Sequence, residues 1–159
     1  MVMKRLLFIL LWVGMVTLNT LSLSAQRAEV GTYAPHIDEV EWISDPLEES
    51  DKALMVEFFH SSNVDCREHI EDLNAMACDY RYDMDVLMLT REPAEQVAGM
   101  LLHEYQYFYV GIDESGRVFR AFGVSHVPYA VIINPKGIIV WAGNPLSLTD
   151  STIKKLLHK

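Results

Sequence analysis

The side chains best suited to covalent or acid–base chemistry gather around one cysteine. Cys66 follows the apolar run Leu54-Met55-Val56-Glu57-Phe58-Phe59 and the turn formers His60-Ser61-Ser62-Asn63. A strand, a turn and then a helix would place its thiol in the first helical turn. Backbone N–H groups and the helix dipole stabilise a thiolate there, so the arrangement predicts a lowered thiol pKa. Glu57 is a lone carboxylate in the apolar run, and burial would raise its pKa into the range of a general acid or base. Asn63 or Ser62 supplies a helix cap. Much later the Val127-Pro128 step leads into another apolar run, where a cis peptide could hold backbone groups open to an extended ligand. His126 precedes that step.

These residues need a scaffold, and the hydrophobic periods predict one. Leu54 to Phe59 reads as a strand buried on both faces. Cys66, Ile70, Leu73, Met76 and Ala77 recur at steps of three and four, which makes one helical stripe. Asp65, Glu68, Glu71 and Asp72 favour the positive end of that helix. Val86 to Leu89 is a second buried strand, and Pro93 opens a second helix through about Glu104. Tyr107 to Ile112 is a third strand, and Val118 to Phe122 a short helix or strand. Ala130 to Ile133, the turn Asn134-Pro135-Lys136-Gly137 and Ile138 to Trp141 make a hairpin, and Thr149 to His158 a last helix. Strands alternating with helices and closing on a hairpin predict an α/β fold, a three-layer sandwich around a mixed sheet.

Ahead of that scaffold, residues 1–25 carry Lys4 and Arg5, no acid, and an apolar run from Leu6 to Val16. This is the pattern of a secretory signal, cut after Ala25 or one residue earlier. A membrane anchor needs ~20 apolar residues, and Thr17, Asn19, Thr20 and Ser22 end this run sooner. No stable anchor is expected after cleavage. Residues 26–53 read as a polar lead-in with a short strand at Val40 to Ile43, and residues 54–159 as the folded domain. The whole chain has 13 basic and 22 acidic residues for a net charge of −9; without Lys4 and Arg5 it stands at −11. That balance, with no basic cluster, argues against nucleic acid as a partner.

Export brings the two cysteines into an oxidising compartment, which raises the question of a bridge between Cys66 and Cys78. On one helix the two would lie ~18 Å apart along the axis, beyond the ~4.4 to 6.8 Å a disulfide spans. No internal disulfide is expected, and Cys78 is expected to pack in the core beside Met76 and Ala77.

The stretch from Val56 to Cys66 resembles the thioredoxin superfamily segment V-[DE]-F-W-A-x-W-C-x-x-C, in register and without a gap. Gly123-Val124-Ser125-His126-Val127-Pro128-Tyr129, continuing through Asn134 and Gly137 to Val140, resembles its G-V-x-x-V-P-[TY] segment with the following strand and turn. The additional helix and strand between residues 92 and 112, with Gly31-Thr32-Tyr33-Ala34-Pro35, are closest to the periplasmic TlpA-type branch. The resemblance covers roughly residues 29–158 and implies a thioredoxin fold with a helix-strand insertion, a cis Val127-Pro128 bond and thiol-disulfide exchange as the family activity.

In that family the first cysteine of C-x-x-C attacks a partner's disulfide and the second resolves the mixed intermediate. Asn63 stands at the attacking position and an amide cannot form a mixed disulfide, so the dithiol cycle is chemically unavailable. Cys66 matches the resolving cysteine, Glu57 the buried acid that assists it, and Ser62 replaces the tryptophan before the motif. Cys66 can then be a buried relic, a one-cysteine redox centre as in peroxiredoxins, or a thiol for mixed disulfides with a partner. Phe59 replaces the proline of the peroxiredoxin pattern. The resemblance implies that Ser62, His126, Val127 and Pro128 face a partner peptide or protein of the periplasm. His126 and His60 could approach Cys66, but one cysteine makes a thin soft-metal site. Neither a metal nor a cofactor is expected. The rival reading is a binding module that keeps the groove around Val127-Pro128 without electron transfer.

Overall fold

The computed structural model describes residues 28–102 and 106–158. The expected signal segment, its expected cleavage site and Glu104, the expected end of the second helix, lie outside the described residues. Six strands form one sheet: β1 (Glu41–Trp42), β2 (Ala53–Phe59), β3 (Met84–Thr90), β4 (Tyr109–Ile112), β5 (Tyr129–Ile133) and β6 (Ile139–Gly143), in the order β1-β4-β3-β2-β5-β6. β2, β3 and β4 run parallel; β1 pairs antiparallel with β4, β5 with β2, and β6 with β5. The helices are α1 (Val64–Glu68), α2 (Ile70–Asp79), α3 (Ala94–Leu101), α4 (Arg117–Ala121) and α5 (Asp150–Leu157). Among the described residues no helix is long and apolar enough to cross a membrane.

The three-layer α/β/α sandwich follows from the strand period. Alternate residues of a strand point to opposite faces. Along β2, Ala53, Met55 and Phe59 join a core with Cys66, Ile70, Leu73 and Ala77 of α1 and α2, Val97 and Leu101 of α3, and Ile153 of α5. Val56 and Phe58 join the opposite core, with Val118 and Phe122 around α4 and with the chain before β1. Phe58 is fully buried there, edge-on to Phe119 with ring centroids 4.8 Å apart. Truncating such a side chain costs about 3–5 kcal/mol.

The lead-in drapes over this second face and adds the edge strand β1. It crosses β4 so closely that a Cβ at Gly111 would collide with the Val40 side chain. Gly111 therefore has to be glycine for contact rather than for backbone freedom.

Several boundaries differ from the expectations. The first helix is divided at His69, whose ψ of −12° departs from helical values, although Leu73 N still donates to the His69 carbonyl at 2.8 Å. α3 ends at Leu101 and its chain end is extended at Leu102. Tyr107 is 45% exposed and stays outside β4, which starts at Tyr109. Residues 117–121 are helical, with Asp113 Oδ2 accepting from Phe119 N at 2.9 Å at the helix start. Thr149 caps α5 through its hydroxyl, which accepts from Thr152 N.

Candidate functional site

β2 and β3 end side by side, and the loops that follow them carry the candidate site. Asn63 is the N-cap of α1, with φ −83° and ψ 125°, and its Oδ1 accepts from Cys66 N at 3.1 Å. Its Nδ2 reaches the other way and donates to the Val127 carbonyl at 2.9 Å. The Val127-Pro128 bond is cis, as the resemblance implied. One amide side chain thus fills a helix-cap position and ties the cysteine turn to the proline loop, 64 residues on in the chain.

Cys66 is in the first turn of α1, as its position predicted, but the turn faces inward and the residue is fully buried. The expected lowering of its pKa is overturned. Burial pushes the thiol up to about 11; a hydrogen bond with the His60 backbone pulls against this, and Glu57, Asp65 and Glu92 add repulsion. The dipole of a five-residue helix does not offset the loss of water around a thiolate.

Glu57 lies on the same face of the sheet as Cys66, in the register between Met88 and Ala130. It has no exposed surface, and burial raises its carboxyl from 4.5 to about 8. Both of its oxygens lack a hydrogen-bond partner among the described residues, and so do both ring nitrogens of His69. The two groups stand 3.6 Å apart, Nε2 to Oε2, too far for a hydrogen bond. Burial lowers the His69 pKa against the opposing charge of Asp72. An un-ionised carboxyl next to a neutral imidazole satisfies both shifts.

Sequence reasoning missed His69 and Glu92. His69 occupies the position between Cys66 and Ile70 in the buried stripe, and a polar residue in an apolar period is the signal that would have marked it. Glu92 lies beyond β3 and is 7% exposed. It accepts from Ser61 N at 2.7 Å, from the Ser61 hydroxyl and from Thr90 Oγ1 at 3.2 Å. A carboxylate on a different loop therefore holds the turn that precedes Asn63, which no local pattern discloses.

The remaining candidates sit at the rim. Ser62 is exposed, and its N–H donates to His60 Nδ1 at 3.2 Å while its hydroxyl lies 3.0 Å from the same nitrogen. His126 is exposed, packs against the Tyr129 ring and has Nδ1 3.2 Å from the Ser125 hydroxyl. His60 Nδ1 also stands 3.5 Å from Glu92 Oε1. Among the described residues no group of three or more His, Cys, Asp and Glu side chains could hold a metal. Val127 is half-buried and Pro128 buried.

Cys78 departs from its expected place in the core. It is half-buried on the flank of α2, one step round the helix from Ala77, where the Arg81 guanidinium donates to its carbonyl at 2.7 Å. Both cysteines are free.

No protein-family model matches the chain, and no curated protein sequence does. Solved structures match it in fold. A protein described as the thiol:disulfide interchange protein DsbE of Chlorobium tepidum superposes with a TM-score of 0.66 at 19% identity, over 81% of this chain and 98% of that one. The exposed lipoprotein thioredoxin of Streptococcus pneumoniae gives 0.57 at 21% identity, over 68% and 84%. PrxQ of Xylella fastidiosa, as a variant, gives 0.65 at 13% identity, over 82% and 94%. The fold is thioredoxin-like.

Proposed function

We propose that this chain is an exported member of the TlpA-type branch in which thiol-disulfide exchange has been lost, and whose loop pair at Asn63 and Val127-Pro128 serves to hold an extended segment of a periplasmic protein. The observation that carries this reading is the Asn63 side chain, bonded at one end to Cys66 N and at the other to the Val127 carbonyl. The side chain at the attacking position is a structural latch and has no electrons to exchange. Cys66 supports the same reading, because a buried thiol with a pKa of about 11 has almost no thiolate at neutral pH and no path to a partner's disulfide. The same burial weighs against one-cysteine peroxide reduction. The basic, apolar and small-residue order of residues 1–25 supports export, and the match of sequence segments supports the branch.

Insulin disulfide reduction and peroxide consumption test the enzymatic half. Wild type and Cys66→Ser are expected to give equal background rates, and Asn63→Cys is expected to form a reducible disulfide with Cys66 and to gain insulin reduction. A wild-type rate that disappears in Cys66→Ser would overturn the proposal. Titration with an unfolded, cysteine-free polypeptide tests the binding half, with amide shifts expected at Val64, His126 and Val127; a flat titration removes the groove from the proposal.

A further inference from the structure

The turn between β2 and α1 is framed by bonds that do not involve the His60 ring. Asn63 N donates to the His60 carbonyl at 3.0 Å, Ser61 N donates to Glu92 Oε2 at 2.7 Å, and the Arg67 guanidinium donates to the Ser61 carbonyl. Glu92 is itself held by the Thr90 hydroxyl at 3.2 Å. The His60 ring stands apart from this frame, with half of its side chain exposed. Its Nδ1 faces three groups at once: Ser62 N at 3.2 Å, the Ser62 hydroxyl at 3.0 Å and Glu92 Oε1 at 3.5 Å.

Those partners make opposite demands on one nitrogen. Ser62 N–H can only donate, so bonding it requires a lone pair on Nδ1, which is the neutral ring with its proton on Nε2. A protonated ring has donors at both nitrogens. It must release Ser62 N–H and offer its new donor to the Ser62 hydroxyl or to Glu92, whose carboxylate attracts an imidazolium. Gaining a proton therefore exchanges the partners of Nδ1 while the frame of the turn stays. The released N–H belongs to an exposed residue next to Asn63, whose side chain bonds the Val127 carbonyl at the groove. The charged groups that meet this turn are Glu92 from the loop after β3 and Arg67 from α1. Glu57 and Asp65 act on the Cys66 thiol, which the His60 backbone bonds. On the proline loop His126 has its own neighbours, Tyr129 and Ser125.

We propose that His60 is a proton-operated gate on the groove: the neutral ring caps Ser62 N–H, and the protonated ring frees it to donate to a carbonyl of the bound segment. This regulation rests on the groove reading proposed above. Acid strengthens the capture of an extended segment, and neutral pH weakens it. One backbone hydrogen bond changes affinity by about two- to tenfold, over the interval of about pH 5 to 8 in which histidine changes charge.

Two measurements test the gate separately from the groove. In the free full chain, long-range proton–nitrogen spectra are expected to place the neutral His60 proton on Nε2, with the Ser62 amide shift following the ring to a common midpoint. A neutral ring protonated on Nδ1, or a Ser62 amide that does not move with the ring, would overturn the gate whatever the groove binds. An unfolded polypeptide without cysteine or histidine is then titrated at about pH 5.5 and about pH 7.5, either side of the histidine range. Wild type is expected to bind about two- to tenfold tighter at the acid value. His60→Ala, which leaves Ser62 N–H uncapped at every pH, is expected to bind equally at both, and His126→Ala to keep the wild-type ratio. Equal wild-type affinity at the two values, or a wild-type ratio kept by His60→Ala, would overturn the gate and leave the groove standing. Binding at neither value removes the groove, and with it any gate upon it, even where the ring spectra are as expected.

Discussion

Substituting Glu57 by glutamine should shift stability relative to wild type progressively in the variant's favour as the pH rises, from a net loss near pH 5 to a net gain near pH 8 and above. The carboxyl goes from 4.5 in the unfolded chain to about 8 in the fold because burial disfavours its charge. Each unit of that difference corresponds to about 1.4 kcal/mol, so the folded chain is disfavoured by about 5 kcal/mol once both states are ionised and by about 3 kcal/mol at pH 7. A raised folded pKa means that the contribution is fully present below pH 4.5, declines as pH climbs, and is lost above about 8. His69 has the opposite sign: its pKa is lowered from 6.5, so its contribution is present above that value and lost as pH falls below it. The two slopes oppose one another on the acid side, and above pH 6.5 Glu57 acts alone. Glu57→Gln keeps the shape and removes the ionisation; the amide's unmet hydrogen bonds cost about 1–3 kcal/mol at every pH. Urea midpoints between about pH 5 and pH 9, converted with each protein's m-value, give the difference between variant and wild type. That difference should rise at about 1.4 kcal/mol per pH unit toward pH 8 and then level off. A constant difference across this range would refute the assignment of Glu57 as a buried, un-ionised acid.

Two further outcomes follow from the same geometry. Asn63→Ala removes the α1 cap and the bond to the Val127 carbonyl, for a combined loss of about 2 kcal/mol in urea unfolding; a change no larger than that of a surface substitution would show that the latch has no energetic role. In labelling with a thiol reagent, Cys78 should react before Cys66, because Cys78 is half-buried and Cys66 fully buried. Mass spectrometry of the labelled peptides reads the order, and Cys66 labelling that matches the rate of a free thiol would contradict its burial.

Much of the fold was legible along the chain. The apolar runs at Leu54–Phe59, Val86–Leu89 and Ala130–Ile133 place three strands, because a strand buried on both faces needs continuous hydrophobicity. The turn Asn134-Pro135-Lys136-Gly137 places the hairpin, and Gly137 takes φ +78° as such a turn requires. Asn63 as a cap was legible too, since capping is a contact between residues three apart. Boundaries were less so: Tyr107 and Phe108 have strand-like side chains but no partner strand in register, and pairing is a property of two segments.

The sequence alone determined the chemical inventory: one cysteine in the motif and no attacking thiol, an acid in a buried strand, an amide at the cap. Those are identities and short spacings, which the chain carries locally. Tertiary structure decided what each can do. Asn63 becomes a latch only because β5 brings the Val127 carbonyl within reach, and Glu92 holds Ser61 only because β2 and β3 end together. The Cys66 thiol rises in pKa because the sheet removes water from a turn whose local geometry favours thiolate. His69 and Glu57 become neighbours across two elements. Solvation and long-range contact set those energies, and neither can be read from spacing in a linear chain.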